Sequence, residues 1–393
     1  MNAPRPQPAP TRRFDVVIRG AGVVGQTLAL LLARDRLRVG LVGAPRGAAP
    51  GIPDVRAYAI NKASRDLLRS VRAWPEGSPQ SDPRTPPVTP VSAMQVWGDD
   101  GGELQFSADE QGADALTWIV DVPALEQRLA EAIGFQAGIE CLDETTPVTA
   151  PLTVVCEGKR SRTREELGLE FEVQPYPHKA VAARLRCEQP HGGIARQWFA
   201  DGEVMALLPL GGEQGNSVAL VWSVPSQQAD TWLQADPTTI TQAVQARCAQ
   251  ALGHMHMESP AQAWPLERSR ATRWITRTAQ GGVALAGDAA HALHPLAGQG
   301  LNVGLADVAE LARVLQAREY WRELGDLKLL RRYERARAAE VAAMGWVTDG
   351  LFGLFAHTDS RVQALRNWGL NGFDRSGPLK HWIARQAMGQ SAA

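Results

Sequence analysis

Cysteine is scarce in this 393-residue chain: four thiols, Cys141, Cys156, Cys187 and Cys248, stand far apart and never in C-x-x-C spacing. Such spacing argues against a disulfide framework and a thiolate metal site, and for reduced thiols in a cytosolic setting; no metal is expected. An excess of charge is also missing, with 41 Lys and Arg against 42 Asp and Glu. That balance removes the general electrostatic case for nucleic acid or an anionic membrane as partner. No stretch approaches the roughly 20 apolar residues that span a bilayer. The opening "MNAPRPQPAPTRR" has no apolar core of signal-peptide length, and residues 1–13 are expected to form a disordered, proline-rich leader. No internal repeat is present. Tyrosine is rare (4) while tryptophan is plentiful (12), and most of the tryptophans are expected to pack the core.

A hydrophobic content of 44% over this length is enough to bury a large core, more naturally in two domains than one. "RFDVVIRGAGVVGQTLALLLARDRLRVGLVGAP" reads as strand, glycine turn, helix and second strand, a βαβ unit that implies an α/β domain with a parallel sheet. Gly20, Gly22 and Gly25 form G-x-G-x-x-G between strand and helix, the context in which that motif holds a pyrophosphate at a helix N-terminus. Ribose is usually gripped by an acid closing the second strand; Gly43 stands there instead, so ribose recognition is expected to be weaker or to come from elsewhere. Residues 75–91, rich in Pro, Ser and Thr, read as a surface loop. "DVPALEQRLAEAI" (121–133) reads as a helix with Asp121 as its N-cap, and "LTVVCEG" (152–158) as a buried strand. From about 172 to 225 alternating apolar runs predict a second, sheet-based domain, followed by a helical patch near 228–252 and a helical region from 320 onward.

The most informative stretch is "GGVALAGDAAHALHPLAGQGLN" (281–302). Its apolar strand delivers Gly287 and Asp288 to the end of the sheet, where α/β folds bind ligands and a carboxylate can accept hydrogen bonds from the hydroxyls of a ribityl chain. Pro295 and Leu296 then form a wall, and "AGQGLN" lets backbone approach a planar ring before a helix begins. The N–H groups of that helix start would steady negative charge on the pyrimidine end of a flavin. His291 and His294 lack partner ligands at metal spacing and read as structural hydrogen-bonding groups.

Those residues resemble the ubiquinone-biosynthesis FAD-dependent hydroxylases, within the class A flavin aromatic monooxygenases of para-hydroxybenzoate hydroxylase type. "GDAAHALHPLAGQGLNVGLADVAELARVL" carries the resemblance, with "DVRAYAINKASRDLL", "IARQWFADGEVMALLPL", "LLRRYERARAAEVAAM" and "LRNWGLNGFDRSGPLKHWIARQAMG" in support. The resemblance implies an α/β, Rossmann-like FAD-binding domain with a second β-sheet substrate domain and a helical C-terminal tail. After the leader, 14–74, 119–165 and 262–345 would form the FAD-binding domain, 75–118 and 166–261 the substrate domain, and 346–393 the tail. It implies cofactor contacts at Gly20, Gly22, Val24, Gly25, Arg56, Glu157, Gly158, Gly287, Asp288, Pro295, Gly298, Gly300, Leu301 and Asn302, with Pro295, Gly298, Gln299 and Gly300 beside the reacting ring.

The chemistry so implied is FAD reduced by NAD(P)H or another donor, reaction with dioxygen to a flavin hydroperoxide, and hydroxylation of a polyprenylated phenol. A cytoplasmic enzyme with peripheral membrane contact, working beside other ubiquinone-biosynthesis proteins, is expected. Three features depart from the pattern: Gly43, the longer Glu157 in the Glu157-Gly158 pair, and a short segment at 134–151. Two alternatives stay open, a non-catalytic scaffold and a hydroxylase of a soluble aromatic acid. Tyr176, His178 and Gln197 are candidate polar groups of the pocket.

Overall fold

Short runs, apolar and buried in the central strands, assemble into a six-stranded sheet in the computed structural model, which describes residues 12–43, 54–75, 86–98, 102–292 and 300–356. The order is Ile275–Arg277, Gly282–Leu285, Leu152–Val155, Val16–Arg19, Val39–Val42, Ile139–Leu142, parallel throughout except for the hairpin formed by the first two. Val16, Ile18, Leu41, Leu152, Val154 and Leu285 are fully buried, as sheet strands covered on both faces must be. The helices Val23–Arg34, Gly300–Gln316 and Leu327–Ala356 pack into the same apolar core. Leu327–Ala356 is fastened by Tyr333, whose buried hydroxyl donates to Leu285 O at 2.8 Å.

The second layer is a nine-stranded sheet built on the long strand Phe171–Cys187, which pairs on one side with Ser217–Pro225 and on the other with Gln262–Ala271 and Met255–Met257. Beyond Ser217–Pro225 it continues through Glu203–Pro209, Ile194–Ala200, Ala93–Trp97 and Glu103–Ser107. Strand alternation sorts its residues. Val181, Leu185, Met205, Leu207, Leu220 and Trp222 form a core with the helices Ser226–Gln234 and Pro237–Arg247. The alternate set turns the other way, and part of it, Ala195 and Ala219, packs with Val91 and Ile119 of a three-stranded sheet, Ala57–Ile60, Thr117–Asp121, Val88–Val91.

Four sequence expectations change. Arg12–Arg13 of the expected leader pairs with Val148–Thr149. Val88–Val91, read as loop because of its prolines, is a strand: Pro90 lies in the outer strand of the three-stranded sheet, where a missing donor is tolerated. Asp121 occupies the N-cap of Val122–Gly134 without capping it; its carboxylate is drawn off by Arg184, which also donates to Asp54 O at 3.1 Å. The tail expected from 346 starts inside the helix Leu327–Ala356, and 357–393 lie outside the described residues.

Removing the Tyr333 hydroxyl with Tyr333→Phe leaves the buried Leu285 carbonyl without that donor. A loss of about 1–2 kcal/mol is expected in denaturant unfolding at unchanged m-value; unaltered stability would mean the bond is not formed in solution.

Candidate functional site

At the C-terminal ends of the parallel strands, Gly20, Gly43, Glu157 and Gly287 follow their strands in turn, the place where an open α/β sheet binds ligand. The glycine turn is built by proximity. A Cβ on Gly25 would stand 1.9 Å from Gly20 O, so no other residue lets helix Val23–Arg34 sit this close to the strand before it. Gln26, fully buried, closes the turn by donating to Ala21 O at 2.8 Å. Gly22 is the helix N-cap; it offers no side-chain cap, and no acid occupies the first turn. A Cβ on Gly22 would meet nothing within 4 Å. The first turn thus carries the positive end of the helix dipole with no side-chain cap and with open space at Gly22, a fit for phosphate. Val24 turns to the neighbouring strand end, its methyls 3.2 and 3.3 Å from where a Gly287 Cβ would be.

Asp288 is exposed in the short turn Gly287–Ala289 that follows strand Gly282–Leu285. Its charge reaches Tyr58. Burial foremost lifts the Tyr58 hydroxyl above its ordinary pKa, Arg56 opposes this by charge and by a hydrogen bond, and Asp288 adds to the rise. Arg56, Tyr58 and Asp288 thus share one electrostatic neighbourhood. Arg56 is itself engaged by Asp54, with Nε at 2.9 Å from Oδ1 and Nη2 at 2.5 Å from Oδ2, and by Glu126 at 3.5 Å. The Asp54 bond is the main cause of its raised pKa.

Helix Gly300–Gln316 is held against the same strand by Asn302, buried, whose Nδ2 donates to Ala59 O at 2.8 Å while its Oδ1 accepts from Asn61 N at 3.0 Å. Gly300 has open space where a Cβ would stand, and Leu301 packs half-buried on the main core. Pro295, Gly298 and Gln299, with His294, lie outside the described residues.

Glu157 is engaged within the chain. Its carboxylate accepts from Ser161 Oγ at 2.6 Å, Thr163 N at 3.0 Å and Thr163 Oγ1 at 2.6 Å, and so caps the short helix Arg162–Glu166. Gly158 next to it borders open space. Gly43 has φ +111°, a conformation that an Asp or Glu adopts only with strain, so the missing acid follows from the backbone. His291 is buried, donating Nε2–H to Asp307 Oδ2 at 2.7 Å, with its ring tilted against Trp274 at 5.0 Å between centroids.

Sequence reading missed Tyr58, Arg164, Asp307 and Arg337. Tyr58 was within reach: in "DVRAYAI" it follows Arg56 by two residues, hence on the same face of a strand. Asp307, mid-helix and 20 residues from Gly287, gave no local signal. All four cysteines are free thiols, and among the described residues no group of three His, Cys, Asp or Glu has the geometry to hold a metal ion.

The parallel sheet, its glycine turn and the acidic turn beside it define a dinucleotide-binding α/β protein of the flavin type. A family profile described as FAD binding domain matches residues 127–345. The ubiquinone biosynthesis monooxygenase COQ6 of Drosophila melanogaster is 31% identical over 445 residues, covering 98% of this chain and 91% of that protein. The ubiquinone hydroxylase UbiL of Rhodospirillum rubrum is 29% identical over 401 residues, covering 95% and 89%. In fold the chain is similar to p-nitrophenol 4-monooxygenase PnpA of Pseudomonas putida, with a TM-score of 0.73 at 17% identity over 98% of this chain and 100% of that one. The chain belongs to this FAD-binding family of flavin monooxygenases, with FAD as its cofactor.

The two glycines of the turn should separate cleanly on substitution. Gly22→Ala meets no atom of the protein and is expected to cost about 1 kcal/mol or less in unfolding of the apoprotein. Its FAD Kd, read by flavin fluorescence, should rise more than about tenfold as the methyl enters the phosphate space. Gly25→Ala, by contrast, should fail to give stable protein.

Proposed function

We propose that this enzyme hydroxylates the aromatic ring of a polyprenylated phenol in ubiquinone biosynthesis, with dioxygen and NAD(P)H or another reductant as co-substrates. The observation that carries the reading is the convergence of the glycine turn, Asp288 and the start of helix Gly300–Gln316 on one sheet edge, which fits FAD lying between them; the names of the relatives supply the substrate class.

FAD, when bound, supplies the reducing equivalents and the activation of dioxygen. The chain supplies position, charge and dryness. Gly20, Gly22 and Gly25, with Val24 packed on the neighbouring turn, seat the pyrophosphate at the first-turn amides of Val23–Arg34. Asp288 would accept hydrogen bonds from the ribityl hydroxyls, with Arg56 and Tyr58 in its electrostatic neighbourhood. Pro295, Gly298, Gln299 and Gly300 are assigned to the cofactor ring, and the amides of Gly300, Leu301 and Asn302, at the positive end of their helix, would steady negative charge on it. Glu157 and Gly158 shape the loop beside the cofactor, Glu157 through its helix cap.

The substrate ring is assigned to the face of the nine-stranded sheet opposite its helices. Ala182 pairs with Val221, Val221 with Ala206, and Ala206 with Gln197, giving a row of small side chains next to one amide. Such a floor admits a flat ring and keeps water away from it. By this assignment the six-stranded sheet and its helices bind FAD, and the nine-stranded sheet, to which Gln262–Ala271 belongs, holds the substrate. Among the described residues no helix is long and apolar enough to cross a membrane. We place the enzyme in the cytoplasm, peripheral at the inner membrane face, in company with other proteins of the same biosynthesis.

Protein reconstituted with FAD should show a flavin spectrum, and a polyprenylated phenol should accelerate its NAD(P)H oxidation at least tenfold, with one atom of labelled dioxygen found in the ring. Equal stimulation by a soluble aromatic acid would transfer the assignment to soluble substrates. Flavin binding with no oxygen-dependent turnover of any phenol would leave a scaffold.

A further inference from the structure

Asp307 lies inside helix Gly300–Gln316 with no exposed surface, and it contacts none of the open space described above. Three donors converge on it. Oδ2 accepts from Gly287 N at 2.9 Å and is paired with His291 Nε2 at 2.7 Å, and Oδ1 accepts from Arg337 Nε at 2.9 Å. Burying a carboxylate is costly unless its lone pairs are used, and here they are used from both sides. An amide in its place would turn an N–H group toward one of the three donors. Despite burial, these partners, the His291 charge foremost among them, hold the Asp307 carboxyl below the usual carboxylate range.

Where the donors come from decides what the carboxylate does. Gly287 N is the amide immediately before Asp288. His291 lies on strand His291–Ala292, which pairs with Gln262–Ala271 at the edge of the nine-stranded sheet. Arg337 comes from the long helix Leu327–Ala356 and is itself buried. On the other side of Asp288, Arg164, 3% exposed and stacked 3.5 Å over Phe171, donates Nη1 to Ala289 O at 3.1 Å. Asp288 is therefore the exposed middle of a turn pinned at the residue before it and the residue after it.

We propose that Asp307 is a positioning residue for the cofactor: by fixing the Gly287 amide it holds Asp288 in place for the ribityl hydroxyls, and through His291 it ties that turn to the substrate-bearing sheet. The inference rests on the role given to Asp288 above. A carboxylate that merely stabilised the fold would act on FAD binding independently of Asp288, whereas one that acts through the turn loses its effect once Asp288 is gone.

The test is a double-mutant cycle on FAD Kd, measured by flavin fluorescence on apoprotein of wild type, Asp307→Asn, Asp288→Ala and the double variant. Asp307→Asn is expected to raise the Kd roughly tenfold, the scale of effects one step removed from a ligand. In the Asp288→Ala background the same change should raise it less than about threefold. A full tenfold in both backgrounds, or no change in the first, overturns the positioning role and leaves the assignment of Asp288 standing. An unchanged Kd for Asp288→Ala alone overturns that assignment and the positioning role with it. Should Asp307→Asn yield no folded protein, His291→Leu, which removes one donor and keeps the carboxylate with Arg337 and Gly287, takes its place in the cycle with the same outcomes.

Discussion

The contact between Gly20 and Gly25 sets the geometry on which the cofactor site depends. A helix that must pass within van der Waals range of the preceding strand's own carbonyl has one allowed docking, and that docking carries its N-terminus over the sheet edge. Because no side chain caps Val23–Arg34 and no acid neutralises its first turn, the unpaired amides need an external acceptor. The demand for an anion is a property of the backbone, and the side chains serve chiefly to keep that backbone tight: Gln26 by closing the turn, and Leu28, Leu31 and Leu32 by burying the helix in the main core.

The nine-stranded sheet is joined to that edge by a short covalent path. The chain leaves the parallel sheet at Leu285, turns through Gly287–Ala289, and pairs at His291–Ala292 with the nine-stranded sheet, so five residues connect the last parallel strand to the second sheet. Asn302 then returns the chain to the three-stranded sheet through Ala59 and Asn61. Two sheets and one helix start are thereby placed by a handful of buried polar contacts, each costly to leave unmade and hence resistant to small displacements. Such stiffness suits a hydroxylase, which must hold the ring to be attacked in fixed register with its cofactor.

Local patterns carried much of this into the sequence. The βαβ unit, the glycine turn and the run from Gly287 to Asn302 are contiguous, and short-range sterics dictate their form; the family likeness then supplied the cofactor. What stayed hidden is what distance in sequence conceals. Asp307 and Arg337 each occupy a helix position at which a surface charge would look ordinary, and only the packing of two helices makes them partners. Asp121 shows the converse: a locally sound N-cap signal was overridden because Arg184, 63 residues away, competes for the same carboxylate with a full charge. Val88–Val91 was masked by its proline, which reads as a breaker until the strand is known to be an outer one.

The departures from the family pattern bear on whether the cofactor site is worn down or rebuilt. Gly43 sits at a positive φ, and an acid there would be strained in this turn whatever it might offer a ribose. Glu157 keeps a carboxylate at the expected place, and its additional methylene lets both oxygens reach the Ser161 and Thr163 groups that begin the next helix. That helix carries Arg164, which pins Ala289 on the far side of Asp288. A drifting, unused site would be expected to lose such linked contacts one at a time, because nothing would penalise an unsatisfied donor near an empty cleft. Here Glu157, Ser161, Arg164 and Ala289 form an unbroken chain of hydrogen bonds ending at the cofactor turn, which favours a rebuilt site over an abandoned one.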